Sequence, residues 1–240
     1  MYLIKLNAIS STNDFLKDYD KSVDLPNFTV VWADVQTKGK GQMGNVWLTE
    51  GAKNLTFSLL LKGDWVKIEL LQTINVMVAN AVLKALKQFN LTNIYVKWPN
   101  DILSYNKKIA GILIENSIKA NGSIETIVGI GINVSQTNFD EFPLASSIQN
   151  QYNIAIDKQL LLNTIVEILK QSISIFNDKD EWAYYHDNLF RKDVLSVFEI
   201  NNGNKFNGII KKVNHHGQLV VQLEDDDLQC FNLKEVKLLY

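Results

Sequence analysis

Apolar and polar residues alternate from the first position. Tyr2, Ile4 and Leu6 share one parity and Leu3, Lys5 and Asn7 the other, which predicts a strand over Met1–Ile9. Ser10, Ser11, Thr12 and Asn13 then supply N-cap candidates for a helix through Phe15, Leu16 and Tyr19. A strand over Phe28–Ala33 runs into a glycine-bearing loop, Gln36–Asn45, and a mostly apolar strand follows over Asn54–Leu61. Leu70, Leu71, Ile74, Met77, Val78, Val82 and Leu86 recur at helical spacing and predict a helix over Ile68–Phe89. Strands are predicted over Ile94–Lys97, Lys108–Glu115 and Ile124–Val134, with a turn at Trp98-Pro99-Asn100-Asp101; the last strand is apolar enough to be buried on both faces. Amphipathic helices are predicted over Leu160–Phe176 and Lys179–Leu189. After Arg191 the period shortens to alternating segments, with turns at Asn202-Gly203, His216-Gly217 and Asp225–Asp227, which predicts a small barrel of four or five strands.

Composition narrows the classes. With 46% hydrophobic residues the chain can bury a sizeable core, and a net charge of -2 argues against a general polyanion binder. The single cysteine, Cys230, excludes an internal disulfide, favours a reducing compartment and reads as a small core residue. No signal peptide is read at the start, and no run approaches the roughly 18 apolar residues of a membrane span. His186, His215 and His216 lack metal-ligand spacing, and the paired His215 and His216 read as solvated turn residues.

Four segments carry candidate chemistry. In Gln36–Trp47, Gly39, Gly41 and Gly44 let backbone N–H groups converge on an anion, and Lys38 and Lys40 add positive charge. A flexible loop with two solvated lysines is the alternative; neither a Walker P-loop nor a Rossmann fingerprint is present. Lys97, Asn100 and Asp101 set a cation, an amide and a carboxylate at a strand end, in what is otherwise an ordinary proline turn. Lys107 and Lys108 enter an apolar strand, where a bound anion compensates an ammonium, or else form the exposed half of a hairpin. Gly129 and Gly131 admit a flat ligand against the sheet, or close helix packing.

In order and spacing these segments resemble the biotin protein ligases. The resemblance is carried by Ser11-Thr12-Asn13 at a helix start, by Gln36 and the glycine–basic loop ending in Trp47, by Lys97-Trp98-Pro99-Asn100-Asp101, by Lys108-Ile109-Ala110-Gly111-Ile112-Leu113, and by Gly129-Ile130-Gly131-Ile132-Asn133. One departure stands out. Lys40, Gln42, Met43 and Asn45 occupy the positions of the family's loop arginines, and a lysine cannot make the guanidinium fork.

The resemblance implies an α+β fold, a mixed sheet flanked by helices as in class II aminoacyl-tRNA synthetases and biotin ligases, ending in an SH3-like β-barrel. The expected domains are a catalytic biotin- and ATP-binding unit over 1–190 and the barrel over 191–240. It implies a cytoplasmic, monofunctional ligase that makes biotinyl-5′-AMP from biotin and Mg-ATP and passes biotin to a lysine of a biotin carboxyl carrier protein. No DNA-binding domain, DNA partner or membrane is expected, and both a monomer and a homodimer are open. Lys108 and Lys40 are the expected catalytic residues. Ser11, Thr12, Asn13, Gln36, Gly39, Lys108 and Gly111 are expected at biotin. Gly39, Lys40, Gly41, Trp47, Lys97, Asn100, Gly131 and Asn133 are expected at ATP, and Asp101 at magnesium; for Trp47 a core position is the alternative. A lipoate-type ligase of the same fold is the competing activity, although its Arg-Arg-x-x-Gly-Gly-Gly and Val-x-His-Asp signatures are not found. A DNA-binding repressor and a ligand-binding pseudoenzyme are the other readings.

Overall fold

Two sheets organise the chain in the computed structural model, which describes residues 1–240. The first contains β1 (Tyr2–Ile9), β2 (Thr29–Gln36), β3 (Leu55–Lys62), β4 (Ile94–Lys97), β5 (Asp101–Ser104), β6 (Lys107–Ile118) and β7 (Ile124–Ile132). Their spatial order is β1-β2-β3-β7-β6-β5-β4. β1 and β2 run parallel and every other neighbouring pair is antiparallel, so the sheet is mixed. Helices α1 (Thr12–Val23), α2 (Leu71–Gln88), α3 (Ile148–Tyr152), α4 (Lys158–Ser174) and α5 (Asp178–Asp187) flank it. The expected elements are present, with three additions, of which α3 is one. A 3₁₀ turn over Ile68–Leu70 precedes α2, and Trp98–Asn100 reverses the chain so tightly that β5 returns along β4, with Lys97 paired to Asp101. β5 starts at Asp101, which reads in the sequence as the last residue of the proline turn, and so does not register as a strand.

Parity along β3 sorts its side chains into two layers. Leu55, Phe57, Leu59 and Leu61 join Ile74, Met77, Val78, Val82 and Leu86 of α2 and Leu161, Leu162 and Ile165 of α4 in the main core. Leu60 instead joins Leu16, Leu25, Val31 and Ile127 beneath α1. Thr56 and Ser58 share the parity of Leu60, so they open on the side of the sheet that α1 covers. Ile68–Gln88 is long and apolar enough by composition to cross a membrane, at a mean hydropathy of 1.2, but 61% of that window is buried against the sheet and α4, as a core helix requires.

The second sheet holds β8 (Leu195–Ile200), β9 (Lys205–Val213), β10 (Leu219–Gln222), β11 (Leu228–Phe231) and β12 (Val236–Leu239), all antiparallel, in the order β11-β10-β9-β8-β12. Its core is aromatic: Phe206 stacks between Phe198 at 5.3 Å and Phe231 at 5.6 Å. One expectation is corrected here. Cys230 is exposed, because it faces outward from the edge strand β11. His215 is exposed, as expected of a turn residue, with one side of its ring 4.6 Å from Trp182.

The sheets meet at the Trp98–Pro99 turn. Trp98 Nε1 donates to Gly217 O at 2.9 Å, Phe190 N to Val96 O at 2.8 Å, and Lys97 Nζ lies 5.6 Å from the Tyr240 ring.

Candidate active site

Register alone assembles the floor of the site. Thr56 pairs with Gly131, Gly131 with Gly111, Gly111 with Asp101, and Asp101 with Lys97, a single row across β3, β7, β6, β5 and β4. Paired residues share a face, so this row and its neighbour, Ser58 with Gly129 and Leu113, open on one side of the sheet, with α1 over the β3 and β7 end. At their centre the two β7 glycines and Gly111 present bare backbone. Above it is a cavity of about 460 Å³, walled by α1, the Lys40–Trp47 loop, the Trp98–Asp101 turn and the second sheet. That volume suits a small organic ligand.

One end is neutral and hydrogen-bonded. Ser11 caps α1, its Oγ accepting from Asp14 N at 3.3 Å. Gln36 Oε1 accepts from Thr12 N at 2.7 Å and from Thr12 Oγ1 at 2.9 Å. Ser58 Oγ lies 2.7 Å from Thr12 Oγ1 and 2.5 Å from Asn13 Oδ1, while Asn13 Nδ2 donates to Glu115 Oε2 at 2.7 Å. Ser11, Thr12, Asn13 and Ser58 are all buried.

The other end is cationic. Asp101 Oδ1 lies 2.6 Å from Lys108 Nζ, and its Oδ2 lies 3.7 Å from Lys97 Nζ. Burial pushes the Lys97 ammonium below the usual lysine pKa, opposed by the charge of Asp101 and reinforced by those of Lys108 and Lys237. Lys97, Lys108, Lys234 and Lys237 line this part of the cavity against a single carboxylate, Asp101, while Lys40 also lines the cavity but is paired with Asp14 of α1. An anion entering here meets a surplus of positive charge in a partly desolvated setting.

The loop between β2 and β3 closes over the floor. Gly41 N donates to Asn45 O at 2.7 Å and Trp47 N to Gly39 O at 2.9 Å, forming a small hairpin. A Cβ on Gly39 would collide with Trp47 O, so that approach requires glycine. Trp47 lays its indole across Gly111 and Gly131, with Lys108 Nζ 5.4 Å from its ring, and its buried Nε1 has no partner. A Cβ on Gly131 would run into the indole ring.

The expected residues are therefore mostly, but not wholly, gathered. Ser11, Thr12, Asn13, Gln36, Lys40, Gly41, Trp47, Lys97, Asn100, Asp101, Lys108, Gly111 and Gly131 line the cavity. Asn133 does not: it is buried, and its Nδ2 donates to Ser146 O at 3.0 Å, which ties β7 to the segment before α3. Gly39 stands behind the lining, where it seats the loop. Lys40 is drawn to Asp14 at 2.6 Å, and that hydrogen bond raises its pKa. Asn100 lines the cavity while its Nδ2 donates to Ile112 O at 2.7 Å. Asp101 is not presented to a metal: both its oxygens face ammonium groups, and no three His, Cys, Asp or Glu side chains converge in the chain. The residues present do not form a resident magnesium site. Sequence reasoning missed Ser58, Glu115, Lys234 and Lys237. The signal for the first was available, since Thr56 and Ser58 are polar residues two apart in an otherwise apolar strand.

Residues 6–135 match the biotin/lipoate A/B protein ligase family. The chain belongs to that family. A bifunctional ligase/repressor BirA of Bacillus spizizenii is 32% identical over 170 residues, which is 69% of this chain and 51% of that protein. The chain thus spans about half the length of this relative. A biotin–[acetyl-CoA-carboxylase] ligase of Mycobacterium tuberculosis is 23% identical over 225 residues, covering 89% of this chain and 80% of that one. The structure of the biotin protein ligase of Aquifex aeolicus in complex with biotin and ATP superposes with a TM-score of 0.81 at 24% identity, covering 99% and 98% of the two chains, and shows the ligase fold, second sheet included.

Proposed function

We propose that the chain is an ATP-dependent biotin protein ligase that forms biotinyl-5′-AMP and transfers biotin to a lysine of a biotin carboxyl carrier protein. The observation that carries this is a single cavity joining a neutral, hydrogen-bonding end to a lysine-rich end across a glycine floor. A molecule with a polar uncharged head and a carboxylate tail fits that order, and the tail then meets the nucleotide among the lysines.

In the first step a biotin carboxylate oxygen attacks the α-phosphorus of ATP and pyrophosphate leaves. Both partners are anionic, so the barrier is lowered by fixed positive charge where they meet and by holding them in line. Lys108 stands at that junction, kept in place by Asp101; Lys97 and the second-sheet lysines face the phosphates. Ser11, Thr12 and Gln36 receive the ureido ring, and Gly111 and Gly131 let flat groups lie against the sheet. Trp47, with Gly41 and Lys40, covers the intermediate. Magnesium arrives as part of the nucleotide. In the second step the carrier lysine, as the neutral amine, attacks the acyl carbon; AMP leaves and the amine proton passes to solvent. Residues 1–190 form the catalytic unit and 191–240 supply one wall. A reducing cytoplasm suits the unpaired Cys230.

Incubation with ATP, biotin and a biotin carboxyl carrier domain, followed by avidin detection, tests this directly. Biotin on the carrier lysine supports the proposal. Transfer of lipoate in place of biotin overturns it in favour of the lipoate-type activity, and no transfer of either overturns it in favour of a binding protein.

A further inference from the structure

We infer that Ser58 on β3 and Glu115 on β6 are positioning residues that set the donor and acceptor polarity of the neutral end, selecting a cyclic urea. The inference deepens the biotin reading and rests on it. Thr12 N–H can only donate, so the Gln36 atom 2.7 Å from it is the oxygen. Gln36 Nε2 is therefore the end turned toward Gly39 and the cavity, and it can only donate. At the far side, the Glu115 carboxylate accepts from Asn13 Nδ2, which turns Asn13 Oδ1 to Ser58 Oγ. An amide oxygen carries no proton, so Ser58 gives its only one to Asn13. Two contacts remain, Ser58 Oγ to Thr12 Oγ1 at 2.7 Å and Thr12 Oγ1 to Gln36 Oε1 at 2.9 Å, and the single Thr12 hydroxyl proton can serve only one of them.

The relay is one donor short, and Glu115 keeps it so. Without that carboxylate the Asn13 amide is free to turn over, Nδ2 then donating to Ser58 and the Ser58 proton moving to Thr12, which closes the count internally. Gly129 leaves room for this arrangement, since a Cβ there would stand 2.5 Å from Asn13 Oδ1. A cyclic urea completes the set: one ring N–H supplies the missing donor at the Thr12 end, and the carbonyl oxygen takes Gln36 Nε2 and the Ser11 hydroxyl. A dithiolane offers neither group. Sites built to hydrogen-bond a guest reject analogues that leave those groups unpaired.

The test compares Ser58→Ala, Glu115→Ala and Glu115→Gln with the wild type, using biotin titration calorimetry and biotin-dependent ATP–pyrophosphate exchange. Ser58→Ala and Glu115→Ala should each raise the biotin Kd and KM roughly tenfold, the scale of one hydrogen bond to a preorganised group. The ATP KM and kcat should stay within about twofold, and Glu115→Gln, whose amide can turn over together with that of Asn13 and so no longer fixes its direction, should raise the biotin KM as Glu115→Ala does. Glu115 is only partly buried, so its variants keep the test open should Ser58→Ala fail to fold. Unchanged biotin KM in both alanine variants overturns the relay, as does an equal rise in the ATP KM, which marks a general structural role. A wild-type chain that binds no biotin overturns the biotin reading itself, and the urea assignment falls with it.

Discussion

At the Thr12–Gln36 end of the cavity the side chains hold one another at hydrogen-bonding distances of 2.5 to 2.9 Å, whereas at the Lys97–Lys108 end one carboxylate faces two ammonium groups and lysines of the second sheet stand across from them. The first end has its geometry before any ligand arrives, so it can discriminate shape and polarity. The second holds positive charge in excess of its own compensation, so it gains most from an anion. Recognition and activation are thus built from different interactions on one sheet, and they should fail in different ways.

The sharpest separation is expected from Lys108→Ala. It removes the charge at the junction and should lower the rate of biotin-dependent ATP–pyrophosphate exchange by roughly 10²–10³, with a smaller loss of biotin affinity measured calorimetrically, from the one contact to the carboxylate. Equal loss of biotin binding would merge the two ends into one. Next is Asp101→Asn. The carboxylate 2.6 Å from Lys108 fixes that ammonium, so exchange kcat should drop about tenfold without loss of the fold. The same variant lowers the Lys97 pKa further, because the charge of Asp101 raises it.

A third expectation is a pH profile. Lys97 binds an anion only as the cation, and burial lowers its pKa below 10.5. Log kcat/KM for ATP should therefore fall on the alkaline side with a midpoint below that of a solvated lysine, moving lower still in Asp101→Asn. Lys97→Met should abolish the limb. The smallest effect lies outside the cavity, at His186 of α5, whose ring bonds Val213 of β9. Burial lowers its pKa from 6.5 in the folded chain. Between the two values the unfolded chain binds the extra proton, so stability is full above 6.5 and declines as pH falls toward the folded value. Thermal melts at decreasing pH should show this decline, and His186→Gln should flatten it.

Which parts of this were legible follows from which interactions leave a local trace. The long helix over Ile68–Gln88 and the strand at Ile124–Ile132 declare themselves because a buried face imposes a period. Lys97, Asp101 and Lys108 were found as motif residues, but their mutual pairing was not, since it depends on the register of β4, β5 and β6. Asn133 looked like a ligand contact and serves the chain instead; an amide at a strand end carries no mark of which partner will claim it. Ser58 did leave a trace, a polar residue within an apolar strand, but its partners did not: they follow from β3 lying next to β7 with α1 ending above them, which nearby sequence does not record.

The hydrogen bond from Trp98 Nε1 to Gly217 O, with Tyr240 set over Lys97, has a practical consequence for handling the protein. A shortened chain ending near residue 190 would keep all of α1 and the seven-stranded sheet yet lose the roof over the motif turn. Water would then reach the Lys97 ammonium and relax it toward ordinary solution behaviour. Tags and fusion partners are for the same reason better attached away from Tyr240, whose ring serves as a lid for a charged side chain.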